Sequence, residues 1–408
     1  MITFTGVSKP DGTQFDFTVP ADETKTIDAH GLTLLPGLID PHVHFRTPGM
    51  EHKENWVSAS KAAIRGGYTT VFDMPNTLPP TITAETLAAK KKLIDAQLKE
   101  SGIPLRYQLF FGADKNHLDE IHKVRSGVAG IKVFMGCSTG NLVIDDDESL
   151  HAVFEAAAAS GLLVAVHAED EAMICERKVK FAAERSYETH SKIRSPDVAV
   201  RAVEKAIALS RQYQVPLYIL HVSTEDEIDL IRAAKHENLP VYAETTPHHL
   251  FLNDTFYSAL QGKALVNPPL RSPHHSEALF AAIREGIIDT VGSDHAPHTP
   301  YEKQQPYGSC PSGMPGIETT LPLLLTACRD GLLSMDNVSA LTCHRARMIF
   351  HVPENMDAVL VDLNRMRSVD ESKLATRCGW SPFADRELTG WPEYVVLRDR
   401  VFHVGPGK

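Results

Sequence analysis

Eight short β-rich runs alternate with eight segments of helical period, and this alternation constrains the fold of the 408-residue chain more than any other feature. The strand candidates are Gly37–His44, Thr69–Met74, Arg106–Gly112, Ala129–Met135, Leu162–His167, Pro216–His221, Leu239–Thr245 and Ile288–Ser293. The helix candidates are Asn55–Arg65, Ala84–Lys99, Leu118–Arg125, Glu148–Ser160, Pro196–Tyr213, Glu225–Glu237, Ser276–Glu285 and Ile317–Asp330. Several helices open on capping side chains, such as Ser223 and Thr224 ahead of Glu225 and Glu227, or Asp145–Asp147 ahead of Glu148. The runs Leu163–Val166 and Leu217–Leu220 are apolar throughout, as parallel strands covered on both faces must be. The pattern predicts an α/β protein built on a closed (β/α)8 barrel of the TIM type. An open doubly wound sheet would need a glycine-rich phosphate turn after its first strand, where Phe45-Arg46-Thr47-Pro48-Gly49 stands instead.

The two ends of the chain fall outside the alternation. Residues 1–35 hold alternating stretches such as Gln14–Val19, and the tail has similar runs at Ala358–Leu363 and Tyr394–Val404. They are expected to pair into one small β domain, 1–35 with 356–408, beside a catalytic barrel of residues 36–355. Lys+Arg 41 against Asp+Glu 52 leaves a formal net charge of -11, which argues against nucleic acid or an anionic membrane as the main partner. An anionic small substrate would need a local cluster of positive charge. The apolar stretches are too short to span a bilayer, and Met1–Pro20 has no basic patch followed by an apolar run, so a cytoplasmic location is expected. Cys137, Cys175, Cys310, Cys328, Cys343 and Cys378 form no Cys-x-x-Cys pair, which predicts reduced thiols rather than disulfides or a thiolate zinc site.

The chain carries 20 histidines, and their positions matter more than their number. Catalytic groups of this architecture sit at the C-terminal ends of the strands. The first strand candidate ends in His42-Val43-His44, whose alternate side chains share a face. The fifth ends at His167, the sixth at His221 and the eighth in Ser293-Asp294-His295, while the fourth carries Lys132. Packing alone has no reason to place polar groups at equivalent ends of five strands. Nitrogen and oxygen donors without thiolate suit zinc or a similar divalent ion. Six ligands exceed what one open catalytic site needs, so two ions are expected. A buried Lys132 would expose its free amine, which can add carbon dioxide to form a carbamate that bridges both ions. The alternative is a metal-free site in which Lys132 pairs with Asp294.

The segment Pro36-Gly37-Leu38-Ile39-Asp40-Pro41-His42-Val43-His44-Phe45-Arg46 resembles the signature of the amidohydrolase superfamily in its dihydroorotase form. The likeness continues through Asp73-Met74-Pro75-Asn76-Thr77, Thr246-Pro247-His248-His249-Leu250 and Val266-Asn267-Pro268-Pro269-Leu270-Arg271 to Ser293-Asp294-His295-Ala296-Pro297-His298. The run Pro311–Glu318 is most similar to the dihydroorotase domain of the animal multifunctional pyrimidine enzyme.

The resemblance implies His42, His44 and Asp294 on the more buried metal, His167 and His221 on the other, and a carboxylated Lys132 between them. It also implies that Arg46, Asn76 and His298 hold a substrate carboxylate, while Asn267 and the Ser312-Gly313 backbone contact the ring. The implied reaction is reversible cyclisation of N-carbamoyl-L-aspartate to L-dihydroorotate in pyrimidine synthesis, through a metal-bridging hydroxide and Asp294 as general acid and base. Thr47 and Thr245 depart from the family pattern, as does the loop Gly136–Asn141. His248, His249, His274 and His275 are read as supporting or surface residues rather than ligands.

Two rivals stand beside this reading: a hydantoinase- or allantoinase-like cyclic amidohydrolase, and a catalytically silent scaffold of the same fold. Arg46 discriminates the first, because simple hydantoins lack the carboxylate that a guanidinium fork would grip. Its bland alternative is a pairing with Glu54. A homodimer is the expected assembly, and association with a carbamoyltransferase is compatible with the resemblance.

Overall fold

The computed structural model describes residues 1–21, 23–136 and 142–405. Eight parallel strands follow one another in chain order: Leu38–Val43, Tyr68–Asp73, Arg106–Gly112, Gly130–Phe134, Val164–His167, Leu217–Ile219, Val241–Thr245 and Thr290–Val291. The ring is nearly closed. Its last strand is two residues long, and the join to the first is a bridge between Val43 and His295, with the His44 N–H donating to the His295 carbonyl at 2.9 Å. The Ser293 N–H adds a bond to Asp40 Oδ1 at 3.0 Å across the same seam.

Most of the expected helices form where local chemistry starts them. Trp56–Arg65 is capped by Asn55, whose side chain accepts from the Ser58 N–H, and Asp147–Ser160 is capped likewise by Asp146. Glu225–His236 opens on a reciprocal capping box between Thr224 and Glu227. The Leu118–Arg125 segment yields only one turn, Glu120–Lys123, because Ile121 is the only residue of that turn that is buried. A short helix needs a docked apolar face to persist, and this one lacks it. Glu171–Lys180 was not anticipated, and its weak face, with Ile174 alone buried, explains why periodicity did not signal it.

The second sheet joins the chain ends as expected. Its strands are Ile2–Ser8, Gln14–Val19, Lys25–Asp28, Leu32–Pro36, Ala358–Ser368, Glu387–Leu397 and Arg400–His403. Leu32–Pro36 pairs antiparallel with Ala358–Asp362, over a core that includes Phe4, Val7, Leu360 and Val396. The connection between the two long C-terminal strands leaves the sheet and packs Trp380 at the barrel mouth, where its indole N–H donates to the His298 carbonyl at 2.8 Å. No helix of the described residues is long and apolar enough to cross a membrane.

One buried ion pair ties a helix to the barrel next to the site. Lys90, on the helix Ala84–Ser101, meets Asp73 at 2.6 Å with neither side chain exposed, and it donates to the Met74 carbonyl at 2.8 Å. Asp73 also accepts from the Phe45 N–H at 2.8 Å, which anchors the chain just beyond His44. Lys90→Met keeps the stem but strands a buried carboxylate, so it is expected to cost about 3–5 kcal/mol in urea unfolding. A loss below about 1 kcal/mol would show the pair to be dispensable.

Candidate active site

His42 lies one residue before the end of the first barrel strand and His44 one residue beyond it, and both imidazoles face Asp294, which follows the eighth. His42 Nε2 lies 3.3 Å and His44 Nε2 3.1 Å from Asp294 Oδ1. These three residues form a set whose ligand atoms all lie within 4.8 Å of one another. Each ring's other nitrogen is engaged behind it. His42 Nδ1 donates to Glu244 Oε1 at 2.8 Å, and His44 Nδ1 donates to Asn76 Oδ1 at 2.9 Å. A histidine whose outer N–H is so committed presents the lone pair of its inner nitrogen. Gly292 makes room for this support, since a Cβ there would lie 2.4 Å from Glu244 Oε2 and 2.8 Å from the His42 Cβ.

The remaining two imidazoles complete the ring of donors. His167 Nε2 donates to Glu169 Oε2 at 2.9 Å, and Glu169 is itself paired with Arg194. His167 Nδ1 therefore turns inward, 3.0 Å from His221 Nε2. His221 Nδ1 is buried without a partner among the described residues. The rings of His42 and His221 lie 5.5 Å apart, which joins the two halves. Lys132 is buried, 4.7 Å above the Phe134 ring, and its ammonium has no ion pair or hydrogen bond among the described residues. The alternative Lys132–Asp294 pair does not form.

Burial sets the charge state of these groups. It holds His42 and His44 down to about 4, against the pull of Asp294, so both are neutral donors near pH 7. It also pulls Lys132 down to about 7, which makes a free amine accessible. Burial would raise the Asp294 carboxyl, but the surrounding imidazoles outweigh it and hold the group well below the usual carboxylate range. Neutral imidazoles, one carboxylate and one buried lysine, converging in a buried space, fit a divalent metal site.

The residues expected to touch substrate gather beside this centre. One pocket is lined by His44, Arg46, Asn76, Asn267, Asp294, Ala296, Ser312 and Gly313. Arg46 is buried, and burial lowers it to about 10, which leaves it charged. Its Nε donates to the Pro297 carbonyl at 3.2 Å, and it pairs with no carboxylate among the described residues. Glu54 is occupied instead by Thr376 Oγ1 at 2.6 Å and the Arg377 N–H at 3.1 Å. His298 sits behind the pocket, with Nε2 3.2 Å from Arg46 Nη2. Asn267 Oδ1 accepts from His190 Nε2 at 2.9 Å. A larger crevice, lined by Arg65, Arg367, Lys373 and Trp391, lies against the terminal sheet and includes none of these residues. Its Arg367 pairs with Glu393 and its Lys373 with Asp370.

Of the departures from the family pattern, Thr245 is explained by its hydroxyl, which donates to the Val222 carbonyl at 2.9 Å and so needs no apolar substitute. Thr47 is buried, its hydroxyl 3.4 Å from the Phe45 carbonyl. Residues 137–141 of the loop after Lys132 lie outside the described residues. His249 bridges Thr246 and the Pro268 carbonyl, and His275 accepts from the Glu225 N–H, so both act as supports. Sequence reasoning missed Glu244, Glu169, His190, Lys53 and Lys303. Glu244 had a legible signal, a lone charge inside the apolar run Val241–Thr245, and Glu169 follows His167 at strand period. Lys303 had none: it is buried, and its ammonium donates to the carbonyls of Leu265, Pro311 and Gly313.

The model of the amidohydrolase family matches residues 33–361. The chain is 36% identical to a dihydroorotase of Methanosarcina acetivorans, over 95% of this chain and 85% of that one. It is 33% identical to the multifunctional protein CAD of Squalus acanthias, over 93% of this chain and 15% of that much longer one. Among solved structures, the L-hydantoinase of Arthrobacter aurescens superposes with a TM-score of 0.90 at 27% identity, covering 98% of this chain and 95% of that one. With its metal-type donors at the strand ends and this match over most of its length, the chain belongs to the amidohydrolase family, beside the dihydroorotases.

Proposed function

We propose that the protein is a dihydroorotase, interconverting N-carbamoyl-L-aspartate and L-dihydroorotate. The observation that carries this reading is Arg46. A buried guanidinium without a carboxylate partner among the described residues, in an acidic protein and in the same pocket as Asp294, calls for an anionic substrate. Dihydroorotate brings a carboxylate, whereas hydantoin brings none. The dihydroorotases among its relatives support the same substrate, and the hydantoinase resemblance fits as kinship within the family.

Asp294, held ionised beside the pocket, accepts a proton from the attacking water in the hydrolytic direction. It returns that proton to the ring nitrogen as the amide C–N bond breaks, and the water oxygen stays in the new carboxylate. Ring closure reverses these steps and consumes a proton, so falling pH favours it. Two divalent cations, zinc by the donor set, would be held by His42, His44, His167, His221, Asp294 and a Lys132 carbamate, and would polarise the amide and acidify water. The carbamate forms as the Lys132 amine bonds to the carbon of carbon dioxide and loses one proton. Arg46, Asn76 and His298 grip the carboxylate, while Asn267 and the Ser312-Gly313 backbone face the ring.

The test compares dihydroorotate with hydantoin and allantoin on protein of measured metal content. Arg46→Ala is expected to lower kcat/KM for dihydroorotate roughly 10- to 150-fold, the worth of a charge-assisted hydrogen bond, and to leave any hydantoin turnover unchanged. Equal losses on both substrates would make Arg46 a structural residue. A preparation with no bound divalent ion and no turnover would favour the scaffold reading.

A further inference from the structure

Asn267 lines the pocket that holds Arg46 and Asp294, and it also borders a larger crevice with His190, Arg194 and Tyr307. The two ends of its amide are alike in size and opposite in chemistry, since one accepts hydrogen bonds and the other donates them. What Asn267 offers a substrate therefore depends on which end is already engaged. His190 settles this. Its Nε2 lies 2.9 Å from the Val266 carbonyl, which can only accept, so Nε2 carries a hydrogen. The same Nε2 lies 2.9 Å from the Asn267 amide, and a nitrogen bearing a hydrogen can be met there only by the oxygen. The one hydrogen is shared between two acceptors in a three-centre bond. With Oδ1 so engaged, the Asn267 NH2 has no acceptor among the described residues.

The reach of His190 is fixed by its helix. Thr189–Ile193 is tied to the chain after Val266 at further points: Ser191 Oγ donates to the Leu270 carbonyl at 3.0 Å, and Arg271 donates to the Arg194 carbonyl. Tyr307 covers the imidazole edge-on, with 6.2 Å between ring centres. Burial, then the Arg194 cation, hold the ring down to about 4, so near pH 7 it is neutral and its single hydrogen is the one on Nε2. A cyclic ureide has two carbonyls: one belongs to the amide that opens, and the other, between the two ring nitrogens, keeps its oxygen throughout. We propose that His190 is a positioning residue that holds Asn267 with its oxygen turned back, so that the Asn267 NH2 donates to the ring carbonyl that is not attacked. The reversed amide would set oxygen against oxygen. The contact rests on the cyclic-amide part of the proposed function, and dihydroorotate and hydantoin share the carbonyl it uses.

His190→Leu and His190→Phe both remove the donor, the second while keeping a ring, and His190→Gln keeps a donor on an uncharged side chain. KM and kcat for dihydroorotate are measured for each, alone and combined with Asn267→Ala, on protein of measured metal content and melting temperature. The apolar variants are expected to raise KM about 3- to 10-fold with kcat little changed, the worth of one neutral hydrogen bond, and His190→Gln to stay within about 2-fold of wild type. Asn267→Ala is expected to raise KM by a similar factor. Adding either apolar change to it is expected to cost nothing more, because His190 then has no amide to hold. Penalties that multiply in the double variants overturn the proposal, and so does a His190→Gln KM as high as that of the apolar variants. An Asn267→Ala KM equal to wild type overturns it too. If the protein opens hydantoin and not dihydroorotate, the same cycle is run on hydantoin, where penalties that do not multiply uphold His190 and overturn only the dihydroorotate reading.

Discussion

Asp294→Asn is expected to keep the fold and lose turnover by roughly 10²–10⁴-fold, the usual contribution of a positioned general acid and base. The substitution is close to isosteric. Asp294 sits at a positive φ of 45°, in the left-handed region where asparagine is among the best-tolerated residues, so the backbone has no reason to move. The amide keeps an oxygen toward His42 and His44 but cannot take up and return a proton. Turnover, metal content and melting temperature measured on one preparation separate chemistry from folding. Near-normal rates at full metal content would send the proton elsewhere.

Lys132→Ala carries the second large effect. The side chain is buried on the fourth barrel strand with no hydrogen bond or ion pair for its nitrogen among the described residues, a placement that is costly for an ammonium and natural for a modified amine. The alanine variant is expected to lose bound metal and to fall by more than about 100-fold in activity, since even supporting residues of a metal site are worth that much. Acetate or propionate is expected to restore part of both by supplying the two oxygens of the missing carbamate. Metal quantification with and without the added carboxylate is the check, and a fully active variant would sink the bridge.

The barrel was legible because its two periods are local. Alternating polarity over a few residues places strands, and capping residues such as Asn55 and Thr224 mark where helices begin. Arg106–Gly112 and Pro196–Tyr213 were read to the residue. Elements with little buried surface were not legible. Glu120–Lys123 shrank and Glu171–Lys180 went unseen because each buries one side chain. The terminal sheet was recognisable from alternation at both ends, but nothing in the sequence showed that its crossing segment would bring Trp380 onto His298.

The same division runs through the site. Sequence alone determined which side chains line the mouth, because a barrel puts the C-terminal ends of its strands on one rim and His42, His44, Lys132, His167, His221 and Asp294 fall at those ends. Only the tertiary structure decided which nitrogen of each ring faces inward. A histidine tautomer is chosen by the hydrogen-bond partner of the opposite nitrogen, and apart from Glu169, two residues from His167, those partners come from far along the chain. Glu244 is 202 residues from His42, and Asn76 is 32 from His44. No local pattern can encode a contact that exists only after the barrel has closed.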